Sequence, residues 1–220
     1  YIERVKTQQI NWIGKSRGAF VNFNLNEISE ELKIYTTRPD TLFGVTFMVM
    51  APEHPIIDKY ADKISNMDEI LNYRSECAKK TEFERTQLVK DKTGVKIEGI
   101  TAKNPVNGKD IPIYISDYVM MGYGTGAIMA VPAHDERDYD FAKKFGIDIV
   151  EVIKGGNIEE AAYTGDGEMV NSGFLNGLDN KKDSIAKMIA HLEEKGIGEG
   201  GVQFKMKDWA FNRQRYWGEP

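Results

Sequence analysis

GYGTGAIMAVPAHDERDYDFAKKFG, residues 122 to 146, admits two incompatible readings, and the choice between them decides the fold. Gly122, Gly124 and Ala127 satisfy the G-x-G-x-x-A form of the dinucleotide fingerprint, the first turn of a doubly wound parallel sheet. That fingerprint needs a helix to begin inside it, so that the helix N-terminus meets a pyrophosphate. Here the continuation AIMAVP is apolar and stopped by Pro132. A strand therefore runs through 124–132, and the glycines make a bend where backbone can approach a neighbour or a ligand closely. The helix starts later, after HDERD, and ends at Gly146.

HDERD carries aspartates at 135 and 138. Asp135 reads as the N-cap and Asp138 as the third helical residue, both favoured by free backbone N–H groups and the helix dipole. Capping accounts fully for one carboxylate. The other is free to point elsewhere, and beside a glycine bend it could grip a cation. A metal phosphohydrolase of the HD type is excluded, because the chain has three histidines in all and His54 and His191 fall in an unrelated loop and a late helix. A PD…ExK nuclease fails as well, since Asp40 is followed only by the mis-spaced Glu151-x-x-Lys154.

Working outward, residues 2–13 read as a helix or an extended lead-in ending at Gly14. AFVNFNL and LKIYTT alternate as half-buried strands, and VTFMVMAP is a continuous apolar run suited to a strand covered on both faces. Helices follow over about 55–63 and 67–80. VKIEGI and IPIYIS are strands parted by the turn-rich AKNPVNGKD. IDIVEVI reads as a strand, the stretch from 155 to 177 as loops, and KDSIAKMIAHLEEK as an amphipathic helix stopped by Gly196. Strands this numerous, joined by occasional helices, predict a mixed α/β fold with a barrel-like β core and peripheral helices.

Composition sets outer bounds. A hydrophobic fraction of 41% and a charged fraction of 29% are those of an ordinary soluble domain. No stretch reaches the ~18 apolar residues of a membrane span. The single cysteine, Cys77, excludes an internal disulfide and a cysteine zinc site, so a cytoplasmic protein is expected. A net charge of −5 argues against coating long nucleic acid but allows a grip on a few nucleotides.

A third cluster, TTRPDTLFG at 36–44, sets threonines, an arginine and an aspartate where a strand ends at a proline turn. Pro39 pushes Arg38 out of helical geometry. Thr36 and Thr37 fall on opposite strand faces, so one should look inward. By itself the cluster is equally a strand end with Asx and Thr turn bonding.

Taken together, TTRPDTLFGVTFMVMAPEHP and GYGTGAIMAVPAHDERDYDFA resemble the editing domain of leucyl-tRNA synthetase, the insertion called connective polypeptide 1. NWIGKSRGAFVNF is similar to its entry strand and DWAFNRQRYWGEP to its return, so the resemblance spans residues 1–220. It implies an excised editing domain, with 1–16 and 207–220 as linkers to the synthetase core. Arg38-Pro39-Asp40-Thr41-Leu42-Phe43-Gly44 favours the leucine type over the isoleucine and valine types. The core signatures HIGH and KMSKS are absent, so no amino-acid activation is expected, and ATP and magnesium would serve only that missing core.

The resemblance also implies roles. Asp138 matches the aspartate that holds the substrate's α-ammonium, with Asp135 ordering the segment. Thr36 and Thr37 match threonines beside the ester and the attacking water, and Arg38 would steady the terminal nucleotide or the Asp side of the pocket. Thr41 matches the gate that excludes a leucine side chain, and Tyr123, Met129 and Val131 would wall the side-chain and adenine pockets; core packing explains Met129 and Val131 equally well. The partner implied is the 3′ end of tRNA(Leu) bearing norvaline, isoleucine, valine or methionine, cleared by water with no cofactor or metal. A valine-type editing domain and a noncatalytic acceptor-end module are the competing readings. Ala133 departs from the glycine common at that position, a change that acts on backbone freedom.

Overall fold

The first long strand organises the sheet. In β1 (Lys15–Leu25) the side chains of Ala19, Val21, Phe23 and Leu25 are buried while Asn24 is exposed, the period of two expected of a strand with one covered face. The computed structural model describes residues 2–81, 84–85, 92–122, 124–181 and 183–204. β2 (Glu30–Thr36) pairs antiparallel along one edge of β1, from Ala19 opposite Thr36 to Leu25 opposite Glu30. The other edge is shared: β7 (Gly198–Phe204) pairs with Lys15–Val21, and β4 (Val95–Lys103) takes over at Asn24 and Leu25. The path continues antiparallel to β5 (Asp110–Ile115), parallel to β3 (Phe47–Met50) and antiparallel to β6 (Ala127–Ala130). Its ends, β2 and β6, come into contact without a ladder joining them among the described residues. The mixed α/β sheet curls like a barrel and stays open.

β3 is buried on both faces, as its unbroken apolar run requires. Met48 and Met50 enter the interior with Val21, Phe23, Ile34 and Ile113. Phe47 and Val49 face out, where α4 (Glu136–Phe145) covers them. Phe141 stacks on Phe47 with ring centroids 5.2 Å apart and on Phe145 at 4.4 Å. Each such ring contributes on the order of 2 kcal/mol by leaving water. α4 ends at Gly146, whose φ of 65° closes the last turn.

α1 (Glu3–Ile13) forms the lead-in as a helix and buries none of its side chains. α2 (Pro55–Lys59) and α3 (Met67–Ala78) follow β3; α3 covers β4 with Ile70 and buries Cys77, whose thiol is pushed up by burial and is therefore inert. α5 (Asp183–Lys195) sets Ser184, Met188 and Leu192 at intervals of one turn against β7 and the 3₁₀ turn Pro39–Gly44.

Two expectations change. IDIVEVI is not a strand: only Ile153 makes a bridge, to Met169, because its amides are taken elsewhere, as described below. β7 is a strand that GEGGVQF does not announce, since three glycines mask the alternation. They serve close packing: a Cβ at Gly201 would lie 2.5 Å from the Phe20 ring, and one at Gly198 2.4 Å from the Phe20 carbonyl.

Gly18 is as tightly held, for a Cβ there would lie 2.0 Å from the Thr36 carbonyl oxygen and 3.0 Å from the Thr37 Cα. Gly18→Ala must therefore push back the turn that carries Thr36 and Thr37. A loss of about 1–3 kcal/mol in denaturant unfolding is expected, as for other overpacked sites. Parent-like unfolding would mean that this strand end moves freely.

Candidate functional site

The turn 36–44 is built by its own side chains. Thr36, half-buried at the end of β2 on the face of Leu32 and Ile34, accepts the Arg38 N–H on Oγ1 at 3.0 Å. Its own hydroxyl proton has no acceptor among the described residues. Thr37 is exposed. Arg38 adopts φ −124° and ψ 57°, away from helix, and the 3₁₀ turn begins at Pro39. Its guanidinium forks onto Asp40, Nε to Oδ1 at 3.0 Å and Nη2 to Oδ2 at 2.8 Å. The Asp40 side chain is fully buried and the arginine 30% exposed. The sequence placed Asp40 in this cluster without a role; a buried charge needs such a bidentate partner.

Thr41 is 2% exposed; its N–H and its Oγ1 both donate to the Arg38 carbonyl, at 3.1 and 2.9 Å. Its hydroxyl is spent on the turn, which leaves the methyl as the group able to define a wall. Asn104, fully buried, donates Nδ2 to the Leu42 carbonyl at 2.9 Å and so fixes the end of the turn. That missed residue sits in the NPVNG turn, where only local Asx bonding was legible.

The second cluster meets the first through backbone packing. A Cβ on Gly44 would lie 3.0 Å from Val152 and 3.2 Å from Val131, so the 3₁₀ turn rests on the chain flanking HDERD. Val131 is buried in the interior cluster, and Met129 packs against it, half-buried, opposite Met48 in the ladder. Tyr123 lies outside the described residues.

Asp135 is the N-cap: its Oδ1 accepts the Arg137 and Asp138 amides at 2.9 and 3.2 Å. Asp138 does something else. Its side chain is 7% exposed and Oδ2 accepts the Val131 N–H at 2.9 Å, which bends the chain from β6 back over α4. Burial, helped by the charge of Asp135 and opposed by the Val131 amide, pushes its carboxyl up to about 7. The hydroxyl of Tyr118, close enough to feel that charge, is buried without a hydrogen-bond partner among the described residues.

His134 explains the failed strand. Its Nδ1 meets the Tyr163 carbonyl at 2.8 Å, and Nε2 accepts the amides of Val152 and Ile153 at 3.0 and 3.1 Å. An acceptor Nε2 and a donor Nδ1–H define the neutral ring. It is a structural staple that consumes the ladder donors of 152 and 153, and it lies within the field of Arg38 and Asp40. Burial holds its pKa below the usual value, against the Tyr163 carbonyl. The unfolded chain thus takes up the proton first, and the stabilisation present above about 6.5 is lost as pH falls below it. His134→Ala is expected to lose about 2–3 kcal/mol at pH 7.5 and less at pH 5.5. Subtracting variant from parent isolates this effect from that of Asp138, which runs oppositely, and an equal loss at both pH values would refute it.

Fold and site define a curled, open α/β domain that carries a buried acid, poised near neutrality, beside a threonine-lined turn. The family model "Leucyl-tRNA synthetase, editing domain" matches residues 10–193. A leucine–tRNA ligase of Alkaliphilus oremlandii (strain OhILAs) is 62% identical over the whole chain, which covers 27% of that protein. The agnB2 LeuRS of Agrobacterium radiobacter K84, solved as a ternary LeuRS-tRNA-LeuAMS complex, superposes with a TM-score of 0.74 at 31% identity, covering 94% of this chain and 22% of that one. The chain belongs to the leucyl-tRNA synthetase editing-domain family. It spans about a quarter of the length of the relatives it matches.

Proposed function

We propose that this domain hydrolyses the ester of tRNA(Leu) mischarged with norvaline, isoleucine, valine or methionine. The observation that carries the reading is Asp138: a buried carboxyl in the first turn of a helix, its pKa near 7, bonded to the Val131 amide, and Val131 in turn lies against Gly44 at the end of the threonine-bearing turn. A monocation entering such a site would ionise the acid and form a charge-assisted pair. The α-ammonium of an aminoacyl ester is such a cation. The relative's complex contains tRNA, and an acidic domain suffices where only a single-stranded 3′ end enters.

Water attacks the ester carbonyl carbon. The charge that develops on the carbonyl oxygen is met by the free hydroxyl proton of Thr36 and by Thr37. The bond to the ribose oxygen breaks, that oxygen takes the proton left by the water through the neighbouring ribose hydroxyl, and the free amino acid leaves. The ester is labile, so positioning supplies most of the acceleration. Arg38, held by Asp40, faces the terminal nucleotide, and Met129 and Val131 wall the pocket. Such a second site is needed because one methyl group gives a synthetic site only ~1–3 kcal/mol of discrimination. No cofactor or metal takes part.

The test is release of amino acid from norvalyl-, isoleucyl- and leucyl-tRNA(Leu), by this chain and by the full-length ligase, with and without chelator. Turnover of the first two in chelator with leucyl-tRNA spared is the expected result. Binding without turnover would make it an acceptor-end module, preference for threonyl-tRNA(Val) would make it valine-type, and activity restored only by a metal would overturn the water mechanism.

A further inference from the structure

We infer that Arg85 is a positioning residue for the glycine loop 120–126, acting as a strut between the loop's two stems. The loop is exposed at Met121, Gly122 and Gly124, and glycines supply no stiffness of their own. Its geometry must come from whatever holds its ends.

The first stem ends in the turn Ser116–Val119. The guanidinium of Arg85, 7% exposed, donates Nε to the Asp117 carbonyl at 2.8 Å and Nη2 to the Val119 carbonyl at 3.2 Å. Those carbonyls immediately precede the loop. The same turn is gripped from α3, where the Tyr73 hydroxyl accepts the Asp117 N–H at 3.1 Å, and from Lys80, whose Nζ meets Asp117 Oδ2 at 2.6 Å.

The second stem is tied to a different element, the turn after β3. Gly126 accepts the Ala51 N–H at 2.8 Å, and a Cβ at Gly126 would lie 3.3 Å from the His54 ring. Between Ala51 and His54 in that turn stands Glu53, and the remaining arm of Arg85 donates Nη1 to its Oε1 at 2.7 Å. One guanidinium thus bonds the first stem and the turn to which the second is tied. A buried guanidinium must pair its donors, and only the planar fork of arginine reaches three acceptors in two directions. Anchoring its own segment would not require Glu53.

Resting on the hydrolase reading, the inference assigns the loop to the wall met by the terminal nucleotide, so Arg85 sets binding and leaves the chemistry alone. Removing a charge-assisted strut should raise KM for isoleucyl-tRNA(Leu) about tenfold with kcat within about twofold. Arg85→Met removes every bond of the strut at once, so Glu53→Ala is the deciding variant: it removes the acceptor on the far side while the contacts to Asp117 and Val119 remain. In the full-length ligase, Glu53→Ala is expected to raise KM and to speed hydrogen exchange at Gly124, Thr125 and Gly126, with α4 amides unchanged. Arg85→Lys, which lacks the fork, should do the same. Unchanged exchange and KM in Glu53→Ala, or a fall in kcat at constant KM, would overturn the strut. Should the parent not deacylate at all, the function reading fails while the exchange measurement still decides the strut.

Discussion

Asp138→Asn is expected to lower kcat/KM for isoleucyl-tRNA(Leu) by about 30-fold or more while leaving the domain folded. The change is isosteric, and an amide oxygen can still accept the Val131 N–H that Oδ2 accepts at 2.9 Å. Only the negative charge disappears, and truncating one member of a buried charge pair costs about 2–5 kcal/mol, a factor of 30 or more. Stability should move the other way. The carboxyl sits at about 7 in the fold against 3.8 as its ordinary value. The folded state therefore holds the proton more tightly, and this stabilisation, full below about pH 4, is lost as pH rises through 7. At pH 8 the parent carries an ionised buried acid and the asparagine variant does not, so the variant should unfold at equal or higher denaturant.

The activity profile follows from the same group. Deacylation by the parent needs ionised Asp138 and a protonated α-amino group, so kcat/KM should rise through about pH 7 and fall once the amine loses its proton near 8. In Asp138→Asn the acid limb should vanish along with most of the rate. Asp135→Ala should instead cost about 1 kcal/mol of stability, the loss of a cap, and retain editing. Equal melting losses with full editing in both variants would reduce Asp138 to a helix-capping residue.

Thr41→Ser should release the discrimination. The Thr41 hydroxyl already donates to the Arg38 carbonyl at 2.9 Å, and serine keeps that bond. What serine removes is the methyl, the one part of the side chain not spent on the turn. If that methyl holds the space a leucine branch requires, the full-length ligase carrying Thr41→Ser should hydrolyse leucyl-tRNA(Leu) about 10–200 times faster than the parent, the range one methyl commands in an apolar pocket. Isoleucyl-tRNA(Leu) should still be cleared. Thr41→Ala should open the gate too, with an added loss of stability from the missing turn bond, and a bulky aromatic should block both substrates. Radiolabelled leucyl-tRNA surviving untouched in Thr41→Ser and Thr41→Ala, with editing otherwise normal, would leave Thr41 a turn residue and nothing more.

Parts of this architecture were legible in the chain alone because their causes are local. Asp135 caps α4 and Gly146 stops it through bonds that span a few residues. The alternation of AFVNFNL and the unbroken apolar run of β3 state which faces are covered. The same order of residues excluded a dinucleotide turn, since AIMAVP continues as β6 where a helix was needed. Local chemistry also placed Arg38 outside helical geometry ahead of Pro39.

Other features belong to the tertiary structure. β7 carries no alternation, and its pairing is licensed by the space that Phe20 leaves above Gly201. IDIVEVI has the pattern of a strand, yet His134, eighteen and nineteen residues back, takes the two amides that a ladder would need. Asp40 and Asn104 look like ordinary turn residues until Arg38 and the Leu42 carbonyl are set against them. Most of all, the sequence by itself determined that an aspartate stands at position 138, one turn into a helix; its readiness to meet a cation is a property of its surroundings. Burial beneath the chain from β6, added to the local charge of Asp135, raises its pKa, and that burial does not exist until strands distant in sequence have packed, because the cost of a charge is set by the water that neighbouring groups exclude.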